Sequence, residues 1–200
     1  MTSTQTAADE LKHILTAYCY DSMRKYLDIN NLKILMNKVS EDQRCELLTS
    51  IKYTDGHTVL AKAAERGHTE LCVTLLSSLP QADRLKLILV NNYTALHSAA
   101  WWAHTGTVSG ILNCLTADQQ LQLLFTRDSN GETALREAAY QGHTDTVMSL
   151  LDRLTPQQQL QLLFTQNSFG NTALHYAAQW GHTETVKTLL DNLTPEQQLQ

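Results

Sequence analysis

The 200-residue chain contains 42% hydrophobic and 18% charged residues, which is typical of a folded protein and not of a disordered one. Its formal net charge is −5, and residues 101–200 carry the whole excess with 4 Lys/Arg against 9 Asp/Glu, whereas residues 1–100 carry 11 of each. Because nucleic-acid binding depends on clustered Lys and Arg, and the sequence has no such cluster, this composition disfavours nucleic acid as a partner.

The N-terminal region, MTSTQTAADELKHIL, lacks both the basic start and the unbroken apolar run of a signal peptide. No segment approaches the about 18 apolar residues of a membrane helix, so we expect a soluble, cytoplasmic protein without a membrane partner. A helix is predicted near Ala7 to Tyr18. The segment NLKILMNKVSEDQRCELL resembles the later TVKTLLDNLTPEQQLQ. Residues 1–53 are therefore predicted to be a helical capping region with a degenerate repeat, in which residues 20–28 replace the first helix.

Four similar segments follow, which start at Thr58, Thr94, Thr133 and Thr172, at intervals of 36, 39 and 39 residues. They read TVLAKAAERGHTELCVTLLSSL, TALHSAAWWAHTGTVSGILNCL, TALREAAYQGHTDTVMSLLDRL and TALHYAAQWGHTETVKTLLDNL. Apolar residues recur at helical spacing on both sides of a central glycine, which can adopt the positive φ that reverses the chain. Each unit is thus predicted to be a helix, a tight turn and an antiparallel helix, and such units must stack to bury their apolar faces.

A short third helix is predicted after the second, in LTADQQLQLLF and LTPQQQLQLLF. Thr155 suits an N-cap, Pro156 the first helical position, and Gln158 the capping-box position. We expect Leu160, Leu163 and Phe164 to share the apolar face of this helix.

The string GNTALHYAAQWGHTETVKTLL resembles an ankyrin repeat, whose pattern is G-x-T-P-L-H-x-A-A-x-x-G-H-x-x-x-V-x-x-L-L. The resemblance implies an all-α, ankyrin-type solenoid with an additional short helix per repeat, which lengthens the unit beyond the family's usual size of about 33 residues. It implies four repeats, over residues 54–90, 91–127, 128–166 and 167–200, the last one truncated. Long, near-identical repeats also resemble those of effector proteins that intracellular bacteria deliver into the host cytosol.

Two departures from the family pattern affect the structure. Val59, Ala95, Ala134 and Ala173 stand at the family's proline position, which removes a preset φ but still permits a helix. Ala103 replaces the turn glycine of the other units, so we expect that turn to be strained or reshaped.

The histidines and cysteines have structural interpretations. The resemblance implies that His68, His104, His143 and His182, at one repeat position, and His97 and His175, at another, tie turns together through hydrogen bonds. Repeat-equivalent residues lie one layer apart, so no metal site is expected. The cysteines at 19, 45, 72 and 114 form no CxxC pair and are expected to be reduced core residues. With no catalytic motif either, we expect no cofactor and no enzymatic activity.

The resemblance places partner contacts at the turn tips and at the two variable residues that end each first helix. Tryptophan and tyrosine are enriched at binding hot spots, and all three tryptophans fall at these helix ends. The predicted partner-binding residues are Glu65, Arg66, Trp101, Trp102, Tyr140, Gln141, Gln179 and Trp180 at helix ends, and Asp55, His57, Tyr93, Arg127, Asp128, Asn130, Glu132 and Phe169 in turns. The alternative is that the rings pack between neighbouring layers. For Trp101 the sequence favours packing and binding equally, whereas for Trp102 and Trp180 it favours binding.

The predicted function is that of a non-enzymatic, monomeric scaffold that binds a partner protein on its concave face. Because the sequence stops within a third-helix segment, we expect a fragment of a longer array whose last unit is uncovered. The alternative is a regulatory or substrate-docking module of a larger enzyme with its catalytic domain beyond residue 200. A spacer without a ligand is disfavoured by the predicted exposed rings.

Overall fold

The computed structural model describes residues 3–19, 28–53 and 56–193. Residues 20–27 of the segment expected to replace a first helix, the turn residue Asp55, and residues 194–200 lie outside this description. The described residues form the helices α1 (Ser3–Cys19), α2 (Ile29–Lys38), α3 (Glu41–Ser50), α4 (Val59–Glu65), α5 (Thr69–Ser77), α6 (Gln81–Ile88), α7 (Ala95–Trp101), α8 (Thr105–Asn113), α9 (Ala117–Leu124), α10 (Ala134–Tyr140), α11 (Thr144–Leu151), α12 (Pro156–Leu163), α13 (Ala173–Gln179) and α14 (Thr183–Asp191).

The helices stack in rows, as a solenoid requires. An inner row consists of α4, α7, α10 and α13, in which each helix packs against the next, and α1 packs against α2 and α4 at its start. A second row consists of α2, α5, α8, α11 and α14. Within the described residues the only strand-like pairing is an isolated bridge between Lys52 and Thr58. The predicted all-helical solenoid is confirmed.

Small side chains let the inner helices approach closely. In α7, Leu96, Ala99 and Ala100 are fully buried, and Val108 and Ile111 of α8 are equally buried behind them. Three inner helices begin after a threonine whose side chain accepts a backbone N–H bond, as Thr58 does from Ala61 at 3.2 Å. The missing prolines therefore do not prevent helix initiation.

The third helices begin as predicted and end differently. Thr155 and Gln158 form the expected capping box at the start of α12, and Pro156 is its first residue. The predicted apolar face is wrong at Phe164, which is 46% exposed, because this residue lies at the C-cap, beyond the last turn. The buried pair is Leu162 and Leu163.

Hydrogen bonds from histidines join successive units, and they confirm the predicted tethering at four positions. Three turn histidines donate from Nε2 to a main-chain carbonyl at the end of the preceding inner helix: His104 to Glu65 at 3.0 Å, His143 to Trp101 at 2.9 Å, and His182 to Tyr140 at 2.9 Å. His97 is fully buried, and its Nε2 donates to the Glu132 carbonyl at 2.9 Å. His175 makes a local capping contact with Thr172, and His68 contacts the ring of Tyr18 edge-on.

The turn at Ala103 keeps the shape of its glycine equivalents. Its φ is 58°, against 70°, 73° and 71° at Gly67, Gly142 and Gly181. The turn is therefore strained and has not been reshaped, because an L-residue crowds its own carbonyl in the left-handed region.

The last described unit is less covered than the inner ones. Ala178 is exposed, whereas its equivalents Ala100 and Ala139 are fully buried, and Leu174 is half-buried where Leu96 and Leu135 are buried. None of the described helices has both the length and the hydropathy needed to cross a membrane. Cys72 and Cys114 are buried free thiols, as predicted, and Cys45 is a half-buried one, while the side chain of Cys19 lies outside the description.

Candidate protein-binding surface

Each inner helix carries three positions on one side, because residues spaced i, i+3 and i+4 share a helical face. We call this side the inner-helix face. Its members are Lys62, Glu65 and Arg66 in the first unit, Ser98, Trp101 and Trp102 in the second, Glu137, Tyr140 and Gln141 in the third, and Tyr176, Gln179 and Trp180 in the fourth.

Four rings of three successive units meet on this face, and we call them the aromatic cluster: Trp101, Tyr140, Tyr176 and Trp180. Trp101 stacks on Tyr140 with ring centroids 5.4 Å apart and an interplanar angle of 19°. Tyr140 also meets Trp180 edge-on at 5.3 Å and Tyr176 at 5.6 Å. Sequence reasoning missed Tyr176, although its position four residues before Trp180 puts both on one side of α13.

The tryptophans differ in exposure, and this difference bears on both interpretations of the rings. Trp102 and Trp180 are each 54% exposed, whereas Trp101 is partly buried against Tyr140. Trp101 therefore packs between layers, and Trp102 and Trp180 present large apolar surfaces to solvent. Gln179 is exposed and Gln141 is partly exposed beside them.

The two aromatic turn residues lie apart from this cluster. Tyr93 is half-buried between His57, at a centroid distance of 5.8 Å, and His97, at 5.3 Å, and burial raises the pKa of its hydroxyl. Tyr93 directly precedes Thr94, the N-cap of α7, at the position that Glu132 holds in the next unit, and it does not form a turn tip. Phe169 is 76% exposed.

The polar turn residues between the second and third units mainly hold the turns in place. The Asp128 side chain accepts the N–H groups of Asn130 and Glu132, each at 2.8 Å. Arg127 donates to the carbonyls of Gln166 and Gly131. Asn130 also lies in this turn, and its side chain is exposed.

Glu132 is directed into the array and is only 4% exposed. Its carboxylate pairs with the Arg136 guanidinium and accepts a bond from Asn167 Nδ2 at 2.8 Å. The same guanidinium lies 4.5 Å from the ring centroid of Tyr176. The structure therefore places Glu132 in an internal network and not on the surface expected from its turn position.

Glu137 is a second buried carboxylate, at the base of the inner-helix face. It is 4% exposed, and its Oε1 lies 3.8 Å from Nη2 of Arg136. Among the described residues no donor bonds its Oε2, and the Oγ of Ser98, at the equivalent position of α7, is similarly without a bond. Burial raises the pKa of Glu137 to about 7, although the Arg136 charge lowers it and Asp128 raises it further.

In the first unit the predicted residues contact one another and the N-terminal helix. Glu65 pairs with Lys62 at 2.7 Å and lies 3.8 Å from His57 Nδ1. Arg66 lies over the Tyr18 ring at 5.9 Å and donates to the Tyr18 carbonyl at 3.3 Å. Residues 3–19, 28–53 and 56–193 contain no group of three or more His, Cys, Asp or Glu side chains that could hold a metal ion.

Stacked helix–turn–helix units with backbone-tethering histidines define a helical repeat solenoid. The family model for ankyrin repeats (3 copies) matches residues 23–123 and 115–199, and the chain belongs to the ankyrin repeat family. Ankyrin repeats are generally protein–protein interaction modules, and the family is typically non-catalytic. A comparison with curated proteins found no match.

Proposed function

We propose that the chain is a non-catalytic module that binds a partner protein on the concave side of the array, with Trp102 and Trp180 as its anchors. The observation that supports this proposal is the 54% exposure of each tryptophan on the inner-helix face, where Trp180 also belongs to the aromatic cluster. A large exposed aromatic surface is unfavourable in water and is typical of the centre of a protein interface. We also propose that the chain acts as a monomer and without nucleic acid.

The test is the double substitution W102A/W180A, compared with F164A as a control. Phe164 is 46% exposed at the C-cap of α12, so its removal deletes a similar apolar surface that is not part of the inner-helix face. Proteins recovered by the wild type and by F164A, and lost by the double variant, identify the partner by quantitative mass spectrometry. With that partner, the double variant should bind at least about a hundredfold more weakly, since a hot-spot aromatic contributes on the order of 2 kcal/mol.

Folding should suffer much less than binding. Trp180 loses one edge contact with Tyr140, which corresponds to about 0.5–1.5 kcal/mol, whereas a fully buried tryptophan would cost about 3–5 kcal/mol. A large loss of thermal stability with unchanged recovery of partners would assign these tryptophans to the core. The location in a host cytosol and the role as a docking module of an enzyme stay predictions.

A further inference from the structure

The inner-helix face presents no accessible charge in the second, third and fourth units. Its members there are aromatic residues together with Ser98, Gln141, Gln179 and Glu137. The Glu137 carboxyl is only 4% exposed, so it is not presented to a partner. A charged side chain that docked on this surface would lose hydration without gaining an ion pair, which favours an uncharged partner segment.

The residues that cap the C-terminal ends of the inner helices lie side by side on this face, and we call them the C-cap row. Trp102 caps α7, Gln141 caps α10 and Trp180 caps α13, and these three helices pack in that order. Two exposed indoles therefore flank one amide. Because packed helices lie about 8–10 Å apart, a segment that contacts both indoles must span about 16–20 Å.

The polar groups of the C-cap row are mainly hydrogen-bond donors. An indole N–H is a donor only, and a glutamine amide carries two N–H groups against one carbonyl. In the described part of the chain, no group bonds the indole N–H of Trp102 or Trp180 or the side-chain amide of Gln141. The complementary segment is one whose main-chain carbonyls are free to accept these donors.

The polyproline II conformation meets this requirement best among the regular conformations. An α-helix uses most of its carbonyls internally, whereas polyproline II has no internal hydrogen bonds and leaves every carbonyl free. An extended strand also has free carbonyls, but its N–H groups need acceptors, and the C-cap row offers few. Proline removes the main-chain N–H altogether, so a proline-rich segment presents acceptors and rigid apolar rings.

The dimensions of polyproline II also match the spacing of the units. It rises 3.1 Å per residue with three residues per turn, so one turn covers about 9 Å and two turns cover about 19 Å. Every third residue therefore faces the same side and meets the next inner helix in the row. An α-helix advances about 5.4 Å per turn, which does not match one contact for each unit.

We propose that the C-cap row binds a proline-rich segment of the partner protein in the polyproline II conformation, with two prolines six residues apart stacked on Trp102 and Trp180. This inference rests on the proposed function and names the chemistry of the partner. Carbonyls of the segment accept the two indole N–H groups and the amide of Gln141. The partly exposed rings of Trp101 and Tyr140 supply apolar surface between the anchors. All of these groups lie at the surface, so the segment reaches them without any opening of the chain.

The first test uses a peptide of ten prolines with an acetylated and an amidated end, which is uncharged and forms polyproline II. All three tryptophans of the chain lie on the inner-helix face, so their fluorescence reports binding. Titration should shift the emission to shorter wavelength and saturate. The matched control is the same peptide built from D-proline, whose carbonyls follow the opposite hand. It should bind at least about tenfold more weakly, and equal binding of both hands would overturn the proposal.

Variants separate the rings from their donors. W102F/W180F keeps two aromatic rings and removes both indole N–H groups, so it should bind the L-peptide about tenfold or more weakly by calorimetry. W102A/W180A should show no saturation, and F164A should bind like the wild type. Raising the NaCl concentration from 0.05 to 0.5 M should change the affinity less than about twofold, because no ion pair forms. Unchanged binding by W102F/W180F, or a steep salt dependence, would contradict the proposed contacts.

A selection distinguishes failure of this inference from failure of the proposed function. Peptides are selected from a random displayed library on the intact chain, and those that W102A/W180A no longer binds are kept. They should carry prolines at intervals of three residues and few charged residues. Tryptophan-dependent peptides that lack proline, or whose apolar residues follow helical spacing, would overturn the proline site while the proposed function stands. If no peptide depends on the two tryptophans, both proposals are wrong.

Discussion

Replacing Ala103 by glycine should stabilise the protein, because among the residues that the structure describes this is the one inter-helix turn that places a side chain in the left-handed region. Its φ is 58°, and the equivalent turns use glycine at 70–73°. An L-residue in this region destabilises the folded state by roughly 1–2 kcal/mol, and a glycine removes this strain. The greater freedom of glycine in the unfolded chain offsets about 0.4–1 kcal/mol of that gain. The expected net gain is about 0.5–1 kcal/mol, or about 1–4 °C in Tm for a chain of this size.

The matched control is Gly142→Ala in the next turn. A Cβ at Gly142 would lie 2.5 Å from Nδ1 of His182, whose ring is held by its bond to the Tyr140 carbonyl. This variant should therefore lose at least about 1–2 kcal/mol, because strain and displacement of the ring act together. Urea denaturation followed by circular dichroism measures both changes. If A103G gains nothing while Gly142→Ala is tolerated, the left-handed turn carries no strain.

Two further predictions concern local stability and pH. Hydrogen exchange should show the least protection in α13 and α14, because these helices have an exposed outer side. The stability of a solenoid is approximately the sum of the stabilities of its units and of the interfaces between neighbouring units. Uniform protection along a monomer would contradict this prediction. Burial raises the pKa of Glu137 from its ordinary value of 4.5 to about 7 in the folded protein, so ionisation of this carboxyl destabilises the folded state. The stability that the protonated carboxyl contributes is fully present below pH 4.5 and is lost as the pH rises through 7. The stability of E137Q relative to the wild type should therefore increase over this interval and stay constant above it. The lowered pKa of His97 acts equally in both proteins and cancels, so a pH-independent difference would refute the assignment.

The repeat made most of the fold predictable. Thr155 and Gln158 form the capping box that their spacing indicates, and the turn position of Ala103 is left-handed, as its glycine equivalents require. The tethers of His104, His143 and His182 follow from the same regularity, since one interaction between neighbours is copied with each unit. Local propensity and repeat position together determine these features.

The candidate surface was less predictable, because it depends on which side chains meet across neighbouring units. Glu132 occupies a turn position that usually faces solvent, yet Arg136, at the position where two other units have histidine, draws it into an ion pair. Tyr93 was expected at a turn tip, and it lies instead between the rings of His57 and His97, one of which belongs to the preceding turn and the other to its own helix. The repeat pattern defines the face of a residue but not the partner that it meets.

The atoms that tie the units together have a further consequence. The acceptors of the three turn histidines are the main-chain carbonyls of Glu65, Trp101 and Tyr140, which stand at one of the variable positions that end each inner helix. Any amino acid supplies that carbonyl, whichever side chain it carries. Substitutions at these positions can therefore change which partner is recognised while the hydrogen bonds between successive units are retained. A library of variants confined to these positions could yield new binding specificities.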